Sequence, residues 1–124
     1  ALNCVLAQRL VRTICLECKH SVQIERSELI EAGLDPAWSD RHMFFEGGGC
    51  IECGGTGYKG RTAVCELLDL SDTIREMILD RKATSEIKKA ARDEGMRFLR
   101  EAAVDCVLAG VTTLREINKV TFVE

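Results

Sequence analysis

The 124-residue chain has few aromatic residues, no long apolar run and no excess of basic residues. Aromatics make up 5% of the sequence, so its core must be mostly aliphatic. No apolar stretch is long enough to span a bilayer, and no signal peptide is evident. The net charge of −3 argues against nucleic acid as a partner, because phosphate binding needs a basic surface.

Recognisable groups of catalytic residues are also missing from the sequence. The sequence shows no Ser/His/Asp or Cys/His arrangement for nucleophilic catalysis. It begins without a methionine, inside what reads as an element already under way. We therefore expect the chain to be part of a longer protein.

Cysteine is abundant, and four of the seven cysteines form two C-x-x-C pairs. The pairs are Cys15–Cys18 and Cys50–Cys53, and each fits a tight turn that points two sulfurs at one atom. Together they predict a tetrahedral four-thiolate zinc site, with Gly54 free to take the positive φ that such a turn needs. Disulfides, an iron centre and a redox pair remain alternatives, although a redox C-x-x-C usually occurs once.

The other three cysteines stand alone in apolar stretches: Cys4, Cys65 and Cys106. Three free thiols suit a reducing cytosol. A zinc ion closed by four thiolates has no position for a catalytic water, so its predicted role is structural.

The pattern predicts an α+β fold with a zinc-ribbon-like lobe inserted between two paired strands. Residues 1–14 are predicted to be a helix tail running into a strand, and residues 15–57 a lobe with little core of its own. Residues 58–70 read as a returning strand buried on both faces. Residues 71–124 are predicted to form a bundle of about four helices.

Local signals set the predicted ends of these helices. Ser71 or Asp72 is the expected N-cap of one helix and Thr84 that of the next, while Gly95 and Gly110 are expected to end two helices. Thr113 and Glu116 fit a capping box at the start of the last helix.

The motifs, in this order, resemble those of the type II secretion and type IV pilus assembly ATPases, the E and B proteins of those systems. One difference is Leu16, where the family often carries proline. The resemblance covers nearly the whole chain and is carried by Val5–Arg12, Cys15-x-x-Cys18-Lys19, Gly49–Thr62, Glu66–Leu68, Gly95-Met96 and Gly110–Ile117.

The resemblance implies a part of a hexameric cytoplasmic motor that works at the inner membrane through a polytopic platform protein. The chain would comprise the end of a RecA-like ATPase domain, the metal lobe and the C-terminal helices. ATP and Mg²⁺ would be bound by motifs upstream of Ala1, so this part alone would not be catalytic. Arg61 would lie near subunit contacts or the nucleotide.

Two other hypotheses remain from the residues alone. One is a free-standing zinc ribbon that binds nucleic acid or protein, which the acidic balance and the helical second half disfavour. The other is a redox protein that uses its C-x-x-C pairs. The sequence does not separate type II secretion from pilus assembly.

Overall fold

The computed structural model describes residues 3–121, which contain two small sheets and six helices. The predicted α+β class is confirmed. The elements are β1 (Asn3–Ile14), β2 (Lys19–Val22), α1 (Arg26–Glu31), α2 (Trp38–Arg41), β3 (Phe44–Gly47), β4 (Tyr58–Asp69), α3 (Asp72–Leu79), α4 (Thr84–Asp93), α5 (Leu99–Leu108) and α6 (Leu114–Thr121). None of the described helices is both long and apolar enough to cross a membrane.

The longer sheet consists of β1 and β4, which flank the segment from residue 15 to 57. They pair antiparallel from Asn3 opposite Asp69 to Ile14 opposite Tyr58. The predicted helix tail at the start of the chain is wrong for the described residues, because β1 is extended from Asn3 onward; Ala1 and Leu2 lie outside the described residues. The pairing of β1 with β4 is irregular around Leu6, where the two-residue alternation of a strand is broken. The apolar residues there have the spacing of a helix, which explains the wrong prediction.

The prediction that the returning strand is buried on both faces is also wrong. In β4 only Val64 and Leu68 are buried, whereas Leu67 keeps 46% of its surface exposed. A continuous apolar run is typical of strands covered on both faces. Here Val64 packs in the core with α5 and α6, and Leu68 packs with α3 and α4, while the residues between them are less buried.

Residues 15–57 do not form an independent core. A second antiparallel sheet pairs β2 with β3, from Lys19 opposite Gly47 to Val22 opposite Phe44. The buried Leu29 of α1 and Phe44 of β3 join the main core, together with Val11 and Val64 of the longer sheet and residues of α5 and α6. The segment is therefore attached to the rest of the molecule by shared apolar contacts.

The four C-terminal helices pack as two pairs and not as the predicted single bundle. Helices α3 and α4 enclose a small core of Leu68, Ile74 and Ala91, while α5 and α6 belong to the main core. Glu66 of β4 accepts a hydrogen bond from the backbone N–H of Leu99 at 2.9 Å. This bond attaches the start of α5 to the sheet, so that α5 packs on the sheet and not in the core of α3 and α4.

Several predicted helix ends are confirmed. The side chain of Ser71 accepts a hydrogen bond from the backbone N–H of Ile74, as an N-cap should. Gly95 and Gly110 take φ of +98° and +77° just after α4 and α5. Thr84 is instead the first residue of α4, and Ala83 precedes it as the N-cap without a side-chain bond. Residues 122–124 lie outside the described residues.

Candidate metal centre

The two C-x-x-C turns bring four sulfurs together next to the end of β1 and the start of β4. All four Sγ atoms of Cys15, Cys18, Cys50 and Cys53 lie within 4.8 Å of one another. Three of the separations are 3.7 Å (15–50), 3.8 Å (18–53) and 3.8 Å (50–53). Four sulfurs arranged tetrahedrally at about 2.3 Å from a zinc ion would be about 3.8 Å apart. The cluster therefore has the size of a four-thiolate zinc site.

Backbone N–H groups donate to the sulfurs of Cys18 and Cys53 and favour their charged form. Gly49 donates to the sulfur of Cys18 at 3.3 Å, while Cys50 and Gly57 each donate to the sulfur of Cys53 at 3.2 Å. Such charge-assisted bonds offset part of the repulsion among four thiolates. They also fix the orientation of the sulfurs toward the centre of the cluster.

Cys53 and Cys18 differ in how strongly their surroundings stabilise a thiolate. Burial raises the pKa of Cys53, but the backbone hydrogen bonds from Cys50 and Gly57 outweigh it and lower the pKa to about 6. For Cys18, burial outweighs the single bond from Gly49 and raises the pKa to about 11. A thiolate at Cys53 is thus available to a metal ion at neutral pH.

The donor set fits a closed, structural metal. Cys15 is buried, and the other three cysteines are half-buried. Four protein sulfurs complete a tetrahedral shell, so no coordination position is left for substrate or a reactive water. Thiolate ligands in a tetrahedron suit zinc or iron among the metals common in proteins.

Glycine is required at position 57, where the chain after the second turn lies against the end of β3. Gly57 has φ of +83°, and a Cβ built there would lie 2.5 Å from the carbonyl oxygen of Gly47. The carbonyl of Gly57 also accepts a hydrogen bond from the N–H of Cys15 at 3.0 Å. One residue thereby connects both turns, since its own N–H binds the sulfur of Cys53.

Replacing Gly57 with alanine is therefore expected to loosen the cluster. The left-handed backbone alone should cost about 1–2 kcal/mol of folding free energy, and the overlap with Gly47 adds to it. Gly33→Ala is the control, because Gly33 has φ of +79° and a Cβ added there would meet no atom within 4 Å. Competition with a chromophoric chelator should show weaker zinc binding for Gly57→Ala only; equal zinc affinity in both variants would contradict the role of Gly57.

An ion pair connects the strand that leads into the cluster with α6. The carboxylate of Glu116 accepts hydrogen bonds from the guanidinium of Arg12 at 3.1 Å twice, and from the backbone N–H of Arg12 at 3.1 Å. The guanidinium also stacks on Tyr58, 4.1 Å from the ring centroid. The hydroxyl of Tyr58 in turn meets that of Thr113 at 2.7 Å.

The contacts among these residues were not predicted from the sequence. Thr113 does cap α6 by accepting from the N–H of Glu116, but the other half of the predicted capping box is replaced by the contact of Glu116 with Arg12. Burial raises the pKa of Glu116, but the bonds from Arg12 outweigh it and leave the pKa below its usual range. No local pattern indicates a partner 104 residues away.

The remaining predicted residues are not among the four that form the cluster. Arg61 is exposed on β4 opposite Arg12, and no ion pair is found for it within residues 3–121. The lone thiols of Cys4, Cys65 and Cys106 are free and are not among the clustered sulfurs.

Comparison with known proteins identifies the family. Residues 1–119 match the family described as type II/IV secretion system protein. A type IV pilus assembly ATPase PilB of Thermus thermophilus is 46% identical over 117 residues, which are 94% of this chain and 13% of that protein. The type II secretion system protein E of Dickeya dadantii is 38% identical over 117 residues, which are 94% of this chain and 22% of that protein.

The chain thus spans less than a quarter of these relatives: 13% of one and 22% of the other. The similarity extends through both C-x-x-C turns and the helices that follow them, since it includes nearly all of the chain. The chain therefore belongs to the type II/IV secretion system protein family, as a region of its pilus assembly and secretion ATPases.

Proposed function

We propose that this chain is the C-terminal zinc-binding region of a hexameric cytoplasmic ATPase that powers type II secretion or type IV pilus assembly. The observation that carries the proposal is a four-sulfur cluster of zinc dimensions in a chain of this family. Cys15, Cys18, Cys50 and Cys53 would be the zinc ligands. The longer sheet would be the end of a RecA-like domain.

The zinc would act as a structural ion. It would hold the two turns together and thereby fix the end of β1 and the start of β4, which lie next to the cluster. Metal binding of this kind contributes directly to folding free energy, because the unfolded chain has no preformed site.

The motor activity would reside elsewhere in the parent protein. The relatives carry the name ATPase or secretion protein E, and this chain matches only a small part of each. ATP and Mg²⁺ would be bound by residues outside this chain. The parent would form a homo-hexamer and reach the inner membrane through a platform protein.

Arg61 would serve the assembled motor. It is an exposed cation on β4, without an ion pair in the described part of the chain. In a hexamer it would contact a neighbouring subunit or lie close to the nucleotide. Charge removal by Arg61→Gln should then lower ATP hydrolysis by the parent hexamer without changing its zinc content.

The metal assignment is tested on the purified, reduced chain. Elemental analysis should find one equivalent of zinc. A strong chelator should remove it with loss of structure around the two turns, while the helical circular dichroism signal survives through the shared core. Absence of metal together with two disulfides, or with four freely titrating thiols, would overturn the assignment.

The role of the cluster in the machine is tested in the full-length ATPase. A variant with all four ligand cysteines changed to serine should fail to assemble pili or to secrete. Normal assembly or secretion by that variant, at equal protein level, would contradict a role for the cluster in docking the motor to its partners.

A further inference from the structure

The tips of both C-x-x-C turns carry large aliphatic side chains that point into solvent. Leu16 is 82% exposed and Ile51 is 96% exposed. Each follows the first cysteine of its pair, and the four sulfurs lie within 4.8 Å of one another. The two tips therefore lie on adjacent turns at the metal end of the molecule.

These two side chains contribute almost nothing to the stability of this chain. An aliphatic side chain stabilises a fold by the apolar area that it buries, and Ile51 buries almost none. Metal coordination uses the cysteines and does not need an apolar residue between them. A single exposed aliphatic residue is ordinary, but here two stand on turns whose four sulfurs lie within 4.8 Å of one another.

The surroundings of the tips are negatively charged. Glu17 and Glu52 are the next residues on the two turns, and both are exposed. Four thiolates around one Zn²⁺ add a further charge of −2. Lys59 offsets part of this negative charge, because its Nζ lies 3.1 Å from a carboxylate oxygen of Glu52, and its pKa is raised chiefly by that hydrogen bond and also by the charge of Glu17.

We propose that Leu16 and Ile51, with Glu17 and Glu52 beside them, form a docking surface for a basic segment of a partner protein that carries exposed aliphatic side chains. Apolar side chains of the partner would contact the two tips, and its lysine or arginine side chains would face the carboxylates. The zinc would act by holding the two tips in place. The inference rests on the proposed function, because the zinc proposed there is what would hold the two turns together.

The test uses methyl NMR on the zinc-loaded chain with a short synthetic peptide of leucine and lysine as the probe. The peptide should shift the methyl signals of Leu16 and Ile51 in a saturable manner. A peptide of the same length with glutamate in place of lysine should not. The double variant Leu16→Ser/Ile51→Ser should bind the leucine–lysine peptide about tenfold more weakly.

The matched control is Leu79→Ser. Leu79 is 80% exposed at the end of α3, away from the cysteines, so its replacement should leave peptide binding unchanged. Glu17→Gln/Glu52→Gln should weaken binding and reduce its dependence on salt concentration. Equal binding by the double tip variant, equal binding of the glutamate peptide, or binding that does not shift the two methyl signals would each overturn the proposal.

Zinc content separates the two possible failures. All tip variants should keep the zinc of the unchanged chain, because neither aliphatic side chain is a ligand. If zinc is present and the tips do not affect binding, the docking surface is wrong and the metal assignment stands. If the unchanged chain holds no zinc, the proposed function itself fails.

Discussion

Replacing Cys53 with serine is expected to remove zinc from the chain and to cause the largest loss of stability of any single substitution considered. Its sulfur accepts hydrogen bonds from two backbone N–H groups and completes the tetrahedron. A serine hydroxyl at this position stays protonated at neutral pH and does not replace the thiolate. With free zinc at a thousand times its Kd, the expected loss is about 4 kcal/mol, because a ligand at that excess stabilises the native state by this amount.

The loss should be local in structure. Leu29 and Phe44 anchor residues 15–57 to the main core independently of the metal. Amide hydrogen exchange should therefore accelerate at residues 15–18 and 47–57, while α5 and α6 keep their protection. The measurements are elemental analysis, thermal unfolding and exchange on the same samples.

Two controls test whether the loss of stability comes from the loss of zinc. The unchanged chain in excess chelator should melt at the same temperature as Cys53→Ser, because both lack the same metal. Cys65→Ser replaces a half-buried thiol outside the cluster and should keep full zinc. Retention of equimolar zinc by Cys53→Ser would show that the four sulfurs are not the ligand set.

Short-range patterns predicted more of this molecule than long-range ones. The C-x-x-C spacing of Cys15–Cys18 and of Cys50–Cys53 fits a tight turn that points two sulfurs at one atom. The four cysteines could therefore be identified from the sequence as candidate metal ligands. The helix ends predicted at Ser71, Gly95 and Gly110 are confirmed, because a cap is decided within one helical turn. Each of these features depends on residues only a few positions apart.

The errors arose where distant residues decide the outcome. β1 is a strand because β4 pairs with it along its length, although its first apolar residues have helical spacing. β4 reads as buried on both faces, but only its Val64 and Leu68 are buried. Exposure also depends on distant residues, and only the structure shows that Leu16 and Ile51 are both exposed.

Removal of the Glu116 carboxylate is the second large effect that we expect. Glu116→Ala leaves the guanidinium and the backbone N–H of Arg12 without their acceptor. Breaking a buried ion pair on one side costs about 3–5 kcal/mol, and the 40% exposure of the Arg12 side chain reduces this to about 2–3 kcal/mol. Urea unfolding of the zinc-loaded chain at neutral pH measures the loss.

The pH dependence gives an independent check on the same pair. The pKa of Glu116 is lowered in the folded chain, so its contribution is complete above the unfolded value of about 4.3 and is lost as pH falls through the lower folded value. The stability of Glu116→Gln should thus decline less steeply than that of the unchanged chain below about pH 4.5. Zinc release at low pH affects both proteins alike and cancels in their difference.

The control for this pair is Asp105→Asn, which breaks the exposed pair between Arg97 and Asp105. Both side chains of that pair are more than half exposed, at 56% and 54%, so its loss should cost less than about 1 kcal/mol. An equal loss for Glu116→Ala and Asp105→Asn, or identical acid profiles for Glu116→Gln and the unchanged chain, would show that the Arg12–Glu116 contact does not hold α6 to β1. A larger loss for Glu116→Ala together with the shallower acid profile would assign that attachment to the buried carboxylate.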